Sequence, residues 1–388
     1  MFEIPQKILN ILRKISANGY EAYIVGGCVR DLLMGIAPHD YDITTSATPD
    51  EIQAIFEKSI PTGIKHGTIT VIEDGEPIEI TTFRAESEYL DHRHPDKVEF
   101  VRDVESDLSR RDFTVNAMCY NEQKGLIDIF SGKKDIENRI LRAVGDANER
   151  FLEDALRIMR LFRFASTLVF DIEPKTYTAA IENAHLIREV SVERINTELT
   201  KLLLGKKCKV ITPLINCGAL DFLEIKNCSN TDKLSDLPSN ISIRLFAFLD
   251  NSTNLLEIAE KLKYSNKIKA EISTFERFRL LDVPKTKCDI KEMLNSGNLE
   301  LLKLYFEYLH ICKGIDTDNL LKLTDEIIKN KEAFSISHLA VSGSDLIPLG
   351  ITGARLGETL EFLRGEVIKE PTLNNKAALI EKIKSSRN

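Results

Sequence analysis

The sequence predicts an α+β protein: a small mixed sheet with helices at the amino-terminal end, then a long all-helical remainder. Three observations predict it. Strand-length runs of alternating or continuous apolar residues occur only before about residue 101. Helical segments and Gly or Pro turns interrupt those runs. From about residue 104 apolar residues recur at helical spacing almost without a break, in Leu-rich segments near 151–170, 192–204, 241–263, 267–281, 290–312 and 319–332.

Taken in order, Ile8, Leu9, Ile11, Leu12 and Ile15 share one face of a helix over 4–18, and Gly19 suits the position just past its end. Glu21-Ala-Tyr-Ile-Val25 reads as a strand running into Gly26-Gly27. After a turn at Pro38, Asp40-Tyr-Asp-Ile-Thr44 reads as a second strand. Segments 68–72 and 77–82 flank Asp74-Gly75, a strong hairpin turn, and Val98–Val101 is a shorter strand. The Ser-, Asn- and Asp-rich stretch 225–240 reads as a long loop. No internal repeat or low-complexity linker is present.

Composition narrows the function classes. A chain of 388 residues, 43% hydrophobic and 29% charged, can bury a sizeable core, which excludes disordered and collagen-like classes. No apolar run reaches the roughly 20 residues of a membrane helix, and no signal peptide is evident at the amino terminus. Seven cysteines, an odd number with no Cys-x-x-Cys pair, suit reduced thiols in the cytoplasm. The net charge of −8 argues against coating nucleic acid non-specifically, although residues 201–290 carry a local surplus of 15 basic over 11 acidic side chains.

The chemistry concentrates in the first 160 residues. Asp40 and Asp42 sit two apart on an expected strand, so their carboxylates point to one face. Side by side they repel unless a cation lies between them, and Mg²⁺ takes oxygen ligands of this kind. Glu79 lies on another strand whose Ile78 and Ile80 face the opposite way, which makes it a third acid for the same face. Three carboxylates on neighbouring strands suit a two-metal site for phosphoryl transfer. Upstream, Gly26-Gly-Cys-Val-Arg30-Asp31 joins a strand to a helix. Its glycines admit a phosphate close to the backbone and Arg30 supplies a charged fork; the dinucleotide G-x-G-x-x-G spacing is missing. His92 and His94 stand two apart without a thiolate or third His, so zinc is rejected.

Further motifs follow in order: Arg110-Arg111-Asp112-Phe-Thr-Val-Asn116-Ala-Met118, Glu153-Asp154-Ala-Leu-Arg157-Ile-Met-Arg160 and Glu193-Arg194-Ile-Asn-Thr-Glu198. With Gly26–Asp31 and Asp40–Asp42, this series resembles the class II tRNA nucleotidyltransferases and the related bacterial poly(A) polymerases. The strong motifs cover 20–200, a weaker likeness continues through 339–350, and 205–335 offers little to match. The resemblance implies a polymerase-β-like nucleotidyltransferase head over 1–140 with a small mixed sheet. An all-helical neck (141–205), body (206–290) and tRNA-binding tail (291–388) would follow.

It also implies an activity: template-free addition of CCA to the 3′ end of tRNA from CTP and ATP, with Mg²⁺ and release of pyrophosphate. Asp40 and Asp42 would hold two metal ions, with Glu79 assisting. Gly27, Arg30 and Arg111 would hold phosphates, Asp112 and Asn116 the sugar, and Asp154 with Arg157 the base, read through its Watson–Crick-like edge. Arg160 would share the nucleotide site. Glu153, Asp154, Arg157 and Arg160 would lie on one face of a helix, braced by Glu193 and Arg194. Asn116 would stand four residues along a helix from Asp112. Arg84 would begin a flexible loop, 83–97, tied to the change from C to A addition. Three rivals stand beside this reading: a poly(A) polymerase, a partial enzyme adding only CC or only A, and a catalytically silent RNA-binding protein. The compact length and the intact acidic trio weigh against the first and the last.

Overall fold

The computed structural model describes residues 2–64, 67–86 and 98–385. They fall into two compact units, Met1–Asn227 and Cys228–Asn388. His92, Arg93 and His94, and most of the loop that follows Arg84, lie outside the described residues.

The first unit opens with α1 (Gln6–Ala17), which buries Ile8, Ile11, Leu12 and Ile15 and ends before Gly19 at φ 86°. There follow β1 (Ala22–Val25), α2 (Gly27–Leu33), β2 (Ile43–Thr45) and α3 (Pro49–Ile55). A Thr48–Glu51 capping box starts α3. Next come β3 (Ser59–Gly63), β4 (Thr68–Glu73) and β5 (Glu76–Thr82). Asp74 and Gly75 both take positive φ, 50° and 80°, as the tight β4–β5 turn requires. Strands β6 (Arg84–Glu86) and β7 (Val98–Phe100) pair by themselves ahead of α4 (Val104–Ser109).

The principal sheet has seven strands in the order β3-β4-β5-β2-β1-β8-β9, where β8 is Cys119–Asn121 and β9 is Gly125–Ile127. All neighbours are antiparallel except β2 and β5, so the sheet is mixed as expected. The β8–β9 hairpin corrects the expectation that residues beyond 104 are almost wholly helical. Its strands are three residues long, too short for an alternation to register, and Asn121 Oδ1 closes its turn by accepting from the amides of Gln123 and Lys124.

Register aligns Ile24, Ile43, Ile80 and Ile69 across four strands, each at most 1% exposed. Burying each such side chain contributes about 1.5–3 kcal/mol. This row glues one face of the sheet to the core and leaves the residues one step along the strands for the other face.

Beyond the sheet lie α5 (Gly132–Glu137), α6 (Ala147–Glu153), α7 (Leu156–Leu168), α8 (Pro174–Glu182) and α9 (Val192–Leu203). A two-residue parallel pair, Ile140–Leu141 with Asp171–Ile172, ties the segment before α6 to the one after α7.

The second unit is helical, from Ile241–Phe248 to Lys376–Ser385. Phe246, Phe275, Tyr305 and Tyr308 form an aromatic core in it, and Leu346, Leu363 and Leu379 centre a second cluster. Residues 225–240 carry no helix or strand, matching the expected loop. The buried Arg244 guanidinium organises part of it by donating to the carbonyls of Ser235, Leu237 and Pro238. All seven cysteines are free thiols. No helix among the described residues is long and apolar enough to cross a membrane.

Candidate active site

The isoleucine row fixes what stands beside it. One residue along, register sets Asp42 next to Glu79, and Glu79 opposite Thr70. Ile78 and Ile80 are buried while Glu79 is exposed, so the third acid faces away from the core as expected. The strand carrying the aspartates is shorter than expected. It begins at Ile43, and Asp40 and Asp42 lie in the segment leading into it. The Asp42 carbonyl still accepts from the Val25 amide at 3.0 Å, which locks that segment to β1.

The electrostatics show these groups as neighbours. The Asp42 carboxyl is pushed above its ordinary value, first by desolvation. The Arg111 charge opposes that rise, and the charges of Asp40 and Glu79 add to it. Repelling carboxylates with open tips are what a divalent cation relieves, and carboxylate oxygens are hard donors suited to Mg²⁺. Among the described residues, no three His, Cys, Asp or Glu side chains form a ready metal cage. A Mg²⁺ ion bound by one or two carboxylates plus substrate phosphates needs none. The donor set therefore fits the group.

The glycine turn expected to meet phosphate centres on Gly26. It takes φ 81° and ψ −129°, and an added Cβ would come within 2.9 Å of Arg111 Nη1. Gly27, the glycine favoured from sequence, begins α2 with ordinary space around it. Arg111 donates to Asp107 at 3.3 Å, while its buried Nε has no hydrogen-bond partner. A part-exposed guanidinium with an unmade bond beside a close-approach glycine is suited to an anion. Asp107 is fully buried and also accepts from Arg110 at 2.7 Å and from the Thr44 hydroxyl at 3.2 Å. It thereby ties β2, the strand just after Asp42, to Arg111. Sequence reasoning passed it over, although its positions three and four residues before Arg110 and Arg111 were visible.

Asp112 and Asn116 do not lie along one α-helix. Phe113 is extended and a single 3₁₀ turn, Thr114–Asn116, follows it. Both side chains are buried. Asp112 accepts from its neighbour amide at Phe113, from Asn116 Nδ2 and from Arg160 Nε at 2.8 Å. Burial pushes the Asp112 carboxyl up, but the Arg160 charge and hydrogen bond, with Arg157 and Asn116, bring it below its ordinary value. Arg30, also buried, donates to Asn116 Oδ1 at 2.7 Å and to Asp31.

The expectation of a single helix carrying Glu153 to Arg160 is corrected. Helix α6 ends at Glu153, Asp154 is extended (φ −144°, ψ 102°), and α7 starts at Leu156. The cause is local: Asp154 Oδ1 accepts from the Leu156 amide, a capping bond that competes with helix continuation. Asp154 and Arg157 are not paired with each other. Asp154 takes both guanidinium arms of Arg194, at 2.8 and 3.3 Å. Arg157 pairs with Glu153 and donates to the carbonyls of Arg150 and Arg110. The expected brace is thus Arg194 on the carboxylate, while Glu198 on α9 holds Arg163 of α7 at 2.8 Å.

Paired acids leading into a strand of a mixed sheet, a third acid on its neighbour, a glycine turn into a helix and a nearby guanidinium suit a nucleotidyltransferase head followed by a helical chain. Family descriptions agree: "Poly A polymerase head domain" matches residues 22–142, and "Probable RNA and SrmB- binding site of polymerase A" matches 169–227. The chain is 38% identical to the CCA-adding enzyme of Ligilactobacillus salivarius over 401 aligned positions, covering 98% of this chain and 96% of that one. It is likewise 38% identical to the CCA-adding enzyme of Lactococcus lactis subsp. lactis, covering 98% of each. Among solved structures, the Bacillus stearothermophilus CCA-adding enzyme in complex with CTP superposes with a TM-score of 0.84 at 32% identity, covering 98% of both chains. The chain belongs to the CCA-adding enzyme family.

Proposed function

We propose that this chain completes the 3′ end of tRNA by adding C, C and A in turn from CTP and ATP, with no nucleic-acid template. The observation that carries the reading is the end-to-end likeness to relatives that are each named CCA-adding enzyme. The acidic row and the open guanidinium beside Gly26 supply chemistry that suits it. In each cycle the terminal 3′-oxygen bonds to the α-phosphorus, the bond to the β-phosphate bridge breaks, and pyrophosphate leaves with those electrons while the hydroxyl loses its proton.

Asp40 and Asp42 would hold divalent cations, Mg²⁺ in our reading, which lower the pKa of the attacking hydroxyl and neutralise phosphate charge when bound. Glu79 is the third acid of the row. Arg111 and Arg30 receive the triphosphate over Gly26 and Gly27. Asp112 and Asn116 hold the sugar, and Arg160 orients Asp112. Asp154 and Arg157 read the base, and for either to do so a partner seen here, Arg194 or Glu153, must yield a hydrogen-bonding position. The segment beginning at Arg84 biases the switch from C to A, and the helical carboxyl-terminal unit grips tRNA by shape and backbone. The enzyme would act in the cytoplasm.

The test uses tRNA transcripts ending before the first C, after CC and after CCA, each incubated with one nucleotide at a time. Two C additions to the first, one A addition to the second and none to the third are expected. Long A tails on any RNA would mean a poly(A) polymerase, and a halt after CC a partial enzyme.

A further inference from the structure

A closed circuit of side chains joins the phosphate-side Arg30 to α7, whose first turn carries Arg157. Arg30 Nη1 donates to Asn116 Oδ1 at 2.7 Å, Asn116 Nδ2 to Asp112 Oδ1 at 3.3 Å, and Arg160 Nε to Asp112 Oδ2 at 2.8 Å. The two ends of this polar chain then return to one aromatic ring. The Arg160 and Arg30 guanidinium carbons lie 5.3 and 5.4 Å from the centre of Phe164. Arg163, held by Glu198, stacks on the same ring at 3.5 Å.

Phe164 is itself buried, packed nearly perpendicular to Phe113, the neighbour of Asp112. Three like charges gather here, opposed by the carboxylates of Asp31, Asp112 and Glu198 and by the negative face of the ring. An aliphatic side chain would fill the space without that attraction. Arg157, Arg160 and Phe164 also stand at i, i+3 and i+7, on one stripe of α7. A shift of α7 at Phe164 is therefore carried along one rigid helix to Arg157, seven residues before it.

We propose that Phe164 is a positioning residue for base choice, which couples the grip of Arg30 on the triphosphate to the orientation of α7. The inference rests on the reading above, in which Arg30 meets the triphosphate and Asp154 with Arg157 reads the base. It has a consequence that a mere phosphate contact lacks. CTP and UTP carry the same triphosphate, so an uncoupled Arg30 contributes equally to both. A coupled Arg30 does not.

The experiment measures kcat and KM for CTP and UTP on tRNA lacking CCA, together with Tm, for the full chain and for Arg30→Lys, Phe164→Leu and the double variant. Phe164→Leu is expected to lower the CTP-to-UTP ratio of kcat/KM about tenfold, equivalent to about 1.4 kcal/mol. Arg30→Lys should lower that ratio about threefold or more in the full chain and leave it unchanged in the Phe164→Leu background. An Arg30→Lys enzyme that slows on both nucleotides equally overturns the coupling, and it stays informative should Phe164→Leu fail to fold. Asp154→Ala, measured in parallel, separates the two levels. If it shifts the ratio and Phe164→Leu does not, the role of Phe164 falls alone; if Asp154→Ala does not shift it, the base-reading assignment falls and this inference with it.

Discussion

Replacing Gly26 with Ala presses on two features at once. At φ 81° and ψ −129° the backbone occupies a region that side chains rarely tolerate, a strain of about 1–3 kcal/mol. The new Cβ would also stand 2.9 Å from Arg111 Nη1. The guanidinium is the far end of a flexible side chain, so it yields, loosening its 3.3 Å bond to Asp107 and retreating from Asp42. We expect a loss of about 2–3 kcal/mol, which for a unit of this size lowers Tm by about 5–10 °C. KM for CTP and ATP should rise together about tenfold, the value of roughly one weakened charge-assisted bond. Gly27→Ala is the control: its Cβ would meet Arg30 Nη2 at an ordinary 3.6 Å, and it sits at the start of α2. Calorimetry and initial-rate kinetics on both variants decide the matter. Equal losses at the two positions, or a neutral Gly26→Ala, would refute the reasoning.

Asp42→Ala should abolish both C and A addition while tRNA binding persists in a filter assay; near-normal C addition would remove Asp42 from the chemistry. Because folding raises the Asp42 carboxyl, its charge costs stability as pH rises through the folded value, so Asp42→Asn should raise the Tm of the metal-free protein at pH 7 as it destroys activity. A lower Tm would contradict that sign. Asp112 has the opposite sign, its folded value lying below the ordinary one. The stability that it contributes is present above about pH 3.9 and is lost as pH falls below that toward the folded value. Acid unfolding of Asp112→Asn should therefore be flatter in that window, and an unchanged slope would show the ion pair to be idle. Asp154→Ala should weaken discrimination against UTP and GTP by about ten- to a hundredfold, the 1–3 kcal/mol of a bidentate base contact. A fall in rate with selectivity intact would make Asp154 a brace for Arg194 alone.

The local code along the chain determined a good deal by itself. Helical spacing placed α1, and Asp74-Gly75 placed the β4–β5 turn, because both depend on residues within a few positions of each other. Alternation around Ile78 and Ile80 was enough to put Glu79 on the face away from the core, since a strand has only two faces. What only the tertiary structure decided is which charge meets which. Asp112 finds Arg160 across 48 residues and Asp154 finds Arg194 across 40, while Asp154 and Arg157, three apart, are turned to different partners. The break after Glu153 depends on one capping bond that helical periodicity does not register. The close approach at Gly26 exists only because the Arg111 guanidinium, 85 residues on, is brought against it. Periodicity reports the face a residue occupies; the partner depends on where distant segments pack, and buried ion pairs are set by that packing.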